Sequence, residues 1–338
     1  MSSGVITTTR AVFLKERPAD GEPRPEHFEV RETAVPEISG DQVLVQNLFM
    51  SVDPSMRGRL GTSEMHYTTN FQVDAPLDGS ALGVVVAGNS LIPNGSYVRH
   101  RLGWREHAVV DASAAAVIEP RGVELHHWLG ALGQTGFTAY AGLVRAGELR
   151  PGDDVFVSAA AGAVGSTAGQ FARLMGARTV IGSAGGPAKA TRLTEDLGFD
   201  AGIDYRREPV GSALGAAAPD GIDLYFDNVG GDHLVAALSS LKVGGRVALC
   251  GMISNGGPDR PAIDVLMNAI LKRITLRGFI VRDHEDLRAE FEDRVVGWLA
   301  AGELVAESTI YAGLDNAVDA FLSMLGGGNV GKMLVSLG

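Results

Sequence analysis

Hydrophobic and polar positions change rhythm once along this chain. Up to about residue 127 the apolar runs are short and broken by Gly, Pro and Asp, as in Ala11-Val12-Phe13-Leu14, Gln42-Val43-Leu44-Val45-Gln46, Leu82-Gly83-Val84-Val85-Val86-Ala87 and His107-Ala108-Val109-Val110. Irregular strands with frequent turn signals predict a partly open β-barrel over residues 1–127. From about 129 strands and helices alternate. A helical stretch from Trp128 to Ala146 precedes strands near 155, 178, 201, 222, 246 and 274, with helices starting near 164, 187, 232 and 262. Six such strands predict a doubly wound parallel sheet over 128–302, an α/β unit. After a helix at 285–300, strand-like Ser308-Thr309-Ile310, a helix from Leu314 to Met324 and strand Lys332-Met333-Leu334-Val335 predict a return to the first domain over 303–338.

The sharpest local pattern is Val155-Phe156-Val157, then Ser158-Ala159-Ala160-Ala161-Gly162-Ala163-Val164-Gly165, then a small-residue helix from Ser166 to Met175. A strand, a tight turn and a helix N-terminus offer free N–H groups to a pyrophosphate. Ala160 stands where the first glycine of G-x-G-x-x-G would fall. An NAD site carries an acid about 20 residues on, to hold the ribose hydroxyls. Here strand Thr179-Val180-Ile181 runs into Gly182-Ser183-Ala184-Gly185-Gly186 with no acid, and Lys189 and Arg192 follow. Cations in place of a carboxylate suit a 2′-phosphate, so the expected cofactor is NADPH.

Composition narrows the classes. Of 338 residues, 45% are hydrophobic and 20% charged, enough to fill a large core. A net charge of −11 argues against nucleic acid or an anionic membrane as the main partner. Cys250 is the single cysteine, which excludes an internal disulfide and a cysteine-rich zinc site. The first ten residues lack the basic and apolar parts of a signal peptide, and no apolar run reaches membrane-spanning length, so a soluble, cytoplasmic protein is expected.

Met50-Ser51-Val52-Asp53-Pro54-Ser55-Met56-Arg57-Gly58-Arg59, Leu102-Gly103-Trp104, Thr138-Ala139-Tyr140, the Ala159 to Gly165 turn and Asp204-Tyr205 occur in this order. Phe226-Asp227-Asn228-Val229-Gly230-Gly231, Cys250-Gly251-Met252-Ile253-Ser254, Arg277-Gly278-Phe279-Ile280-Val281 and Asn329-Val330-Gly331-Lys332 complete the series. Together they resemble the zinc-independent medium-chain dehydrogenase/reductases of the prostaglandin reductase, leukotriene 12-hydroxydehydrogenase and 2-alkenal double-bond reductase branch. The resemblance runs almost end to end. It implies a GroES-like substrate domain beside a Rossmann domain, a homodimer, and NADPH-dependent reduction of α,β-unsaturated aldehydes or ketones.

By that resemblance Gly162, Ala163, Val164 and Gly165 shape the pyrophosphate turn. Lys189 and Tyr205 match 2′-phosphate contacts, with Arg192 and Arg206 as further cations. Asn228, Cys250, Phe279, Val281 and Asn329 match the nicotinamide half, and Thr138 the carboxamide. Arg57 is a candidate substrate anchor whose plainer role is an ion pair. Trp104 is a candidate cleft wall or packs under the cleft. Two positions depart from the branch, where tyrosine is common: Ser55, and Gly256 within Ser254-Asn255-Gly256-Gly257. Proton delivery is then expected from water or a ribose hydroxyl, with Tyr67 as the weaker alternative. No metal is expected: His66 has no cysteine beside it in the first domain, and His126 and His127, adjacent on a helix, should diverge. An NADPH quinone reductase and a non-catalytic NADPH-binding protein are the rival readings. The edge strand Ile274 to Ile280 is the expected dimer seam.

Overall fold

The computed structural model describes residues 6–62, 69–251 and 266–338. The chain divides into two compact units, 1–129 with 307–338, and 130–306.

In the first unit a seven-stranded sheet carries the core. Its order is Ser308–Ala312, Lys332–Ser336, Gln42–Ser51, Ala81–Ala87, Tyr97–His100 and Ala116–Ile118, with His107–Asp111 also paired to Gln42–Ser51. A separate antiparallel pair joins Thr8–Leu14 to Phe28–Ala34. Successive strand residues point to opposite faces, and the alternation shows in Val43, Val45, Val98, Ala108 and Val110, which pack into one apolar cluster. A second cluster gathers Leu14, Met50, Trp104 and Phe321, with the Trp104 and Phe321 rings edge to face at 6.2 Å. The late strand Lys332–Ser336 sits inside the sheet, antiparallel to Gln42–Ser51. Buried Lys332 fastens it, donating to Val52 O at 2.7 Å and reaching Asp53 Oδ1 at 3.0 Å.

The second unit holds six parallel strands in the order Ala201–Asp204, Thr179–Ala184, Asp154–Val157, Ile222–Asp227, Leu241–Leu249 and Thr275–Gly278. Numbered along the sheet's own chain order this is 3-2-1-4-5-6, the doubly wound arrangement. The α/β class expected from the alternating pattern is therefore the class observed. Every residue of Asp154–Val157 is buried, as a central strand covered on both faces requires. The strand order reverses between Asp154–Val157 and Ile222–Asp227, and their C-terminal ends define the crevice where such sheets bind ligands.

Two elements differ from the sequence pattern. The stretch from Trp128 to Ala146 is not one helix: a short turn of helix, Leu125–Leu129, is followed by a turn closed from Gly133 N to Gly130 O at 2.9 Å, and the helix proper starts at Gln134. Two glycines three apart cost the helix more than the flanking apolar residues return. The strand expected from Ile274 is limited to Thr275–Gly278 and lies on the sheet edge. Among the described residues, no helix is long and apolar enough to cross a membrane.

Candidate cofactor site

Strand Asp154–Val157 ends in a turn whose geometry is set by three small residues. Ala159 takes a left-handed conformation (φ 49°), unusual for a residue with a side chain. Its carbonyl accepts from Gly162 N at 3.0 Å, and Ala160 N donates to Ser183 O at 2.8 Å. Gly162 then caps helix Ala163–Leu174. Gly165 must lack a side chain, because a Cβ there would run into the Ala159 carbonyl and lie 2.8 Å from Ala160 Cα. The methyl of Ala160 is itself accommodated by Gly182, where a Cβ would lie 2.7 Å from it. Gly162, Ala163 and Val164 remain half-buried at the helix start. The first N–H groups of a helix have no partner within it, so this end presents donors to an anion.

The neighbouring strand Thr179–Ala184 ends in Gly185 and Gly186, the latter at φ 99°. A Cβ on Gly185 would lie 2.8 Å from the Tyr205 hydroxyl and 3.0 Å from Arg206 Nε. The bare backbone thus lets both side chains fold over the loop. Asp204 Oδ1 braces the arrangement, accepting from Gly186 N at 2.8 Å and Arg206 N at 3.1 Å. Lys189, in the first turn of helix Pro187–Glu195, is held below its ordinary pKa by burial and then by the Arg206 charge. The Arg206 charge is thus felt at Lys189, and an anion near both would lessen that effect. Arg192, one turn further along the same helix, pairs its Nε with Asp196 at 3.1 Å.

The C-terminal end of Ile222–Asp227 carries a buried network that sequence reasoning missed. Asp227 Oδ1 accepts from the Tyr225 hydroxyl at 2.7 Å, Val229 N at 2.9 Å and Gly230 N at 2.7 Å. Ser158 Oγ lies 3.0 Å from the Tyr225 hydroxyl and accepts from Asn228 N at 2.9 Å. The Asn228 amide donates to Ser158 O at 2.8 Å. These bonds tie the two strand ends that flank the crevice and hold the Asn228 side chain there. The Tyr225 hydroxyl is pushed well above its ordinary pKa by burial and by Asp227, so it stays protonated. The signal in the sequence was an acid and a tyrosine at one strand end, which read as part of a motif rather than as chemistry. Cys250 and Gly251 donate their backbone N–H groups to Asp227 O at 2.9 and 3.0 Å. Burial, then Asp227, pushes the Cys250 thiol up to about 12, which leaves it no nucleophile.

The other expected residues have local partners. Thr138 Oγ1 donates to Gln134 O at 2.8 Å within its own helix. Phe279 packs against Gly142 and meets the Phe226 ring at 6.5 Å, with half-buried Val281 opening the next turn. In the first unit Asn329 donates to Gly331 O at 2.8 Å, and Arg57 makes a short ion pair with Glu22. Trp104 is buried in the core rather than lining a surface. Ser55 is exposed at the head of the short helix Ser55–Arg59. His66, Tyr67 and Gly256 lie outside the described residues.

His126 and His127 do not diverge. Their rings lie 4.1 Å apart, and Glu124 Oε2 is 3.2 Å from His126 Nδ1. Burial lowers both imidazoles, His127 to about 4.

Residues 10–118 match the family described as the N-terminal domain of oxidoreductase, and residues 163–300 the family described as zinc-binding dehydrogenase. A relative from Bacillus subtilis, a putative NADP-dependent oxidoreductase, is 40% identical, over 98% of this chain and 99% of its own. The NADP(+)-dependent 2-alkenal reductase of Nicotiana tabacum is 36% identical over 97% of each. The crystal structure of CurA from Vibrio vulnificus in complex with NADPH superposes with a TM-score of 0.90 at 35% identity, covering 97% of this chain and 99% of that one. The chain is a medium-chain dehydrogenase/reductase of the 2-alkenal and prostaglandin reductase branch. Among the described residues of this reductase, the group of three side chains close enough to share a metal is Glu124, His126 and His127, outside the 163–300 match.

Proposed function

We propose that this reductase uses NADPH to reduce the C=C bond of α,β-unsaturated aldehydes and ketones, without a catalytic metal. The observation that carries the cofactor choice is the approach of the Tyr205 hydroxyl and the Arg206 guanidinium to Gly185, with Lys189 close enough to feel the Arg206 charge. The strand's own end, residues 182–186, carries no acid, and Asp204 is engaged by the Gly186 and Arg206 N–H groups. The names of the tobacco relative and of the NADPH complex of CurA support it.

NADPH, when bound, supplies the hydride, which goes to the β-carbon of the substrate. The chain's own part is placement. The turn from Gly162 to Gly165 would receive the pyrophosphate, and Lys189, Tyr205 and Arg206 the 2′-phosphate. Asn228, held by Ser158, would orient the nicotinamide half together with Thr138, Cys250, Phe279 and Val281. Such positioning and electrostatic stabilisation of a developing enolate is what a protein contributes to cofactor chemistry. With Ser55 and Gly256 in place of tyrosines, water delivers the proton to the α-carbon, and Tyr67 is the alternative donor. Arg57 keeps its ion pair with Glu22 and anchors substrate only if that pair opens.

Two copies would join through the edge strand Thr275–Gly278. Its neighbours Ile270 (71% exposed) and Leu271 (64% exposed) form an apolar margin that an unpaired edge leaves to solvent. Light scattering on a dilution series tests this, and a folded monomer persisting throughout would refute it. We assign the enzyme to the cytoplasm, in keeping with its unpaired, unreactive Cys250.

The activity is tested by the absorbance of reduced nicotinamide, with NADPH and NADH side by side, against enals, enones and quinones. Turnover of enals or enones with NADPH preferred is expected. Quinone-only turnover would favour the quinone reductase reading. Tight NADPH binding without turnover of any acceptor would favour a binding protein.

A further inference from the structure

The pairing of two imidazoles with a carboxylate on the turn Leu125–Leu129 belongs to none of the roles above. We propose that Glu124, His126 and His127 form a binding site for a divalent transition ion, Zn²⁺ foremost, separate from the cofactor residues and from the hydride chemistry.

Three observations carry this. One ligand atom from each side chain lies within 4.8 Å of the other two. In a tetrahedral zinc site with bonds of roughly 2.0–2.2 Å, adjacent donors are about 3.4 Å apart. The Glu124–His126 pair, at 3.2 Å, already has that spacing, and rotation of exposed Glu124 and of the His127 ring can close the rest. Next, the rings of His126 and His127 face one another at 4.1 Å with 44° between their planes, although consecutive side chains are free to point apart. The Phe49 ring stands 6.2 Å from His126, a further packing contact for that imidazole. Finally, both histidines are half-buried and the backbone between the ligands is closed by His127 N donating to Glu124 O at 3.1 Å. Fixed ligands lose little freedom when they bind a metal.

Two imidazoles and one carboxylate suit zinc, nickel or copper rather than calcium or magnesium, which take oxygen donors. Three protein ligands leave a fourth position for water. A metal there would fasten the last turn of the first unit, immediately before the chain passes into the second unit at Gly130.

The test uses the full chain carrying no histidine tag, treated with chelator and titrated with CoCl₂ and then ZnCl₂. One equivalent of Co²⁺ should develop the strong visible absorption of low-coordinate cobalt, and Zn²⁺ should displace it. Glu124→Gln, which alters an exposed side chain, should weaken binding about tenfold, and His127→Ala more. His107→Ala, in the same unit but outside the cluster, should bind as the parent does. Absence of the visible band at a millimolar excess of Co²⁺ would overturn the proposal. So would equal affinity in the parent and in Glu124→Gln and His127→Ala. Should His127→Ala not fold, the Glu124→Gln comparison decides alone.

Discussion

Gly165 lies directly under the carbonyl of Ala159, with no room between them for a methyl group. The obstacle is backbone, so it cannot rotate aside as a side chain would. Gly165→Ala should therefore push the helix start away from the strand end, at a cost of about 1–3 kcal/mol in stability. The same shift moves the N–H donors, and the dissociation constant for NADPH should rise about tenfold or more. Fluorescence titration with NADPH, beside chemical denaturation, checks both. Unchanged affinity in a destabilised variant would detach this turn from cofactor binding.

Lys189 and Arg206 repel each other in the free protein, and a bound phosphate dianion turns that repulsion into attraction. A hydrogen bond to a charged partner contributes about 1.5–3 kcal/mol. Lys189→Gln should then raise KM for NADPH by about 10- to 100-fold and leave KM for NADH and kcat nearly unchanged. Equal losses with both cofactors would place Lys189 away from the 2′-phosphate.

Asp227 positions Asn228 without being a catalytic residue. Replacing it by alanine removes the acceptor of two backbone N–H groups, Val229 and Gly230, and leaves the Tyr225 hydroxyl with Ser158 Oγ alone. Each orphaned group costs about 1–3 kcal/mol, so Asp227→Ala should be severely destabilised. Asp227→Asn keeps an acceptor oxygen and should recover much of the stability. Its signature should be a fall in kcat with KM for NADPH largely preserved. Crystallography of Asp227→Asn would show whether the Asn228 amide has left Ser158 O.

In the first unit, His100 Nδ1 accepts from Leu102 N at 3.1 Å, so Nε2–H donates to Asn47 Oδ1 at 2.9 Å. The Asn47 amide returns the chain to Arg105 O at 2.8 Å. A proton on Nδ1 would face the Leu102 N–H head-on. Burial, and then the Arg105 charge, accordingly lower His100 from 6.5 to about 4. The unfolded chain therefore binds the proton more readily than the folded one between those values. Stability from this group is complete above the unfolded pKa and is lost as pH falls from about 6.5 towards 4. Between pH 7 and 5 the loss should approach about 2 kcal/mol. Denaturation of wild type and His100→Gln at both pH values should show a steeper decline in wild type.

The chain's apolar rhythm announces the parallel sheet because each central strand is a continuous hydrophobic run, as in Val155-Phe156-Val157. It overextends the helix at Trp128 because Leu129, Ala131 and Leu132 are buried in a turn and leave the same apolar pattern. The preference for NADP was legible as an absence of acid at residues 182–186 followed by Lys189, in keeping with the NADP-dependent relatives. The ion pair of Arg192 with Asp196 four residues on is seen only in the structure. The Ser158, Tyr225 and Asp227 network was not legible, since its members lie some 70 positions apart and meet only across neighbouring strands. Likewise adjacency in the sequence suggests divergence for His126 and His127, whose approach to 4.1 Å depends on side-chain rotamers that the sequence does not print.

The placement of Lys332–Ser336 between Ser308–Ala312 and Gln42–Ser51 imposes an order on synthesis. Residues 130–306 form a contiguous unit that can fold as soon as it leaves the ribosome. The first unit, though it begins the chain, must wait for its last strand, and until then Gln42–Ser51 presents an unpaired edge and Asp53 lacks its lysine. The nascent protein therefore spends most of its translation with the earliest residues the least finished. That interval is when a chaperone, or a neighbouring nascent chain, would find an open strand to hold.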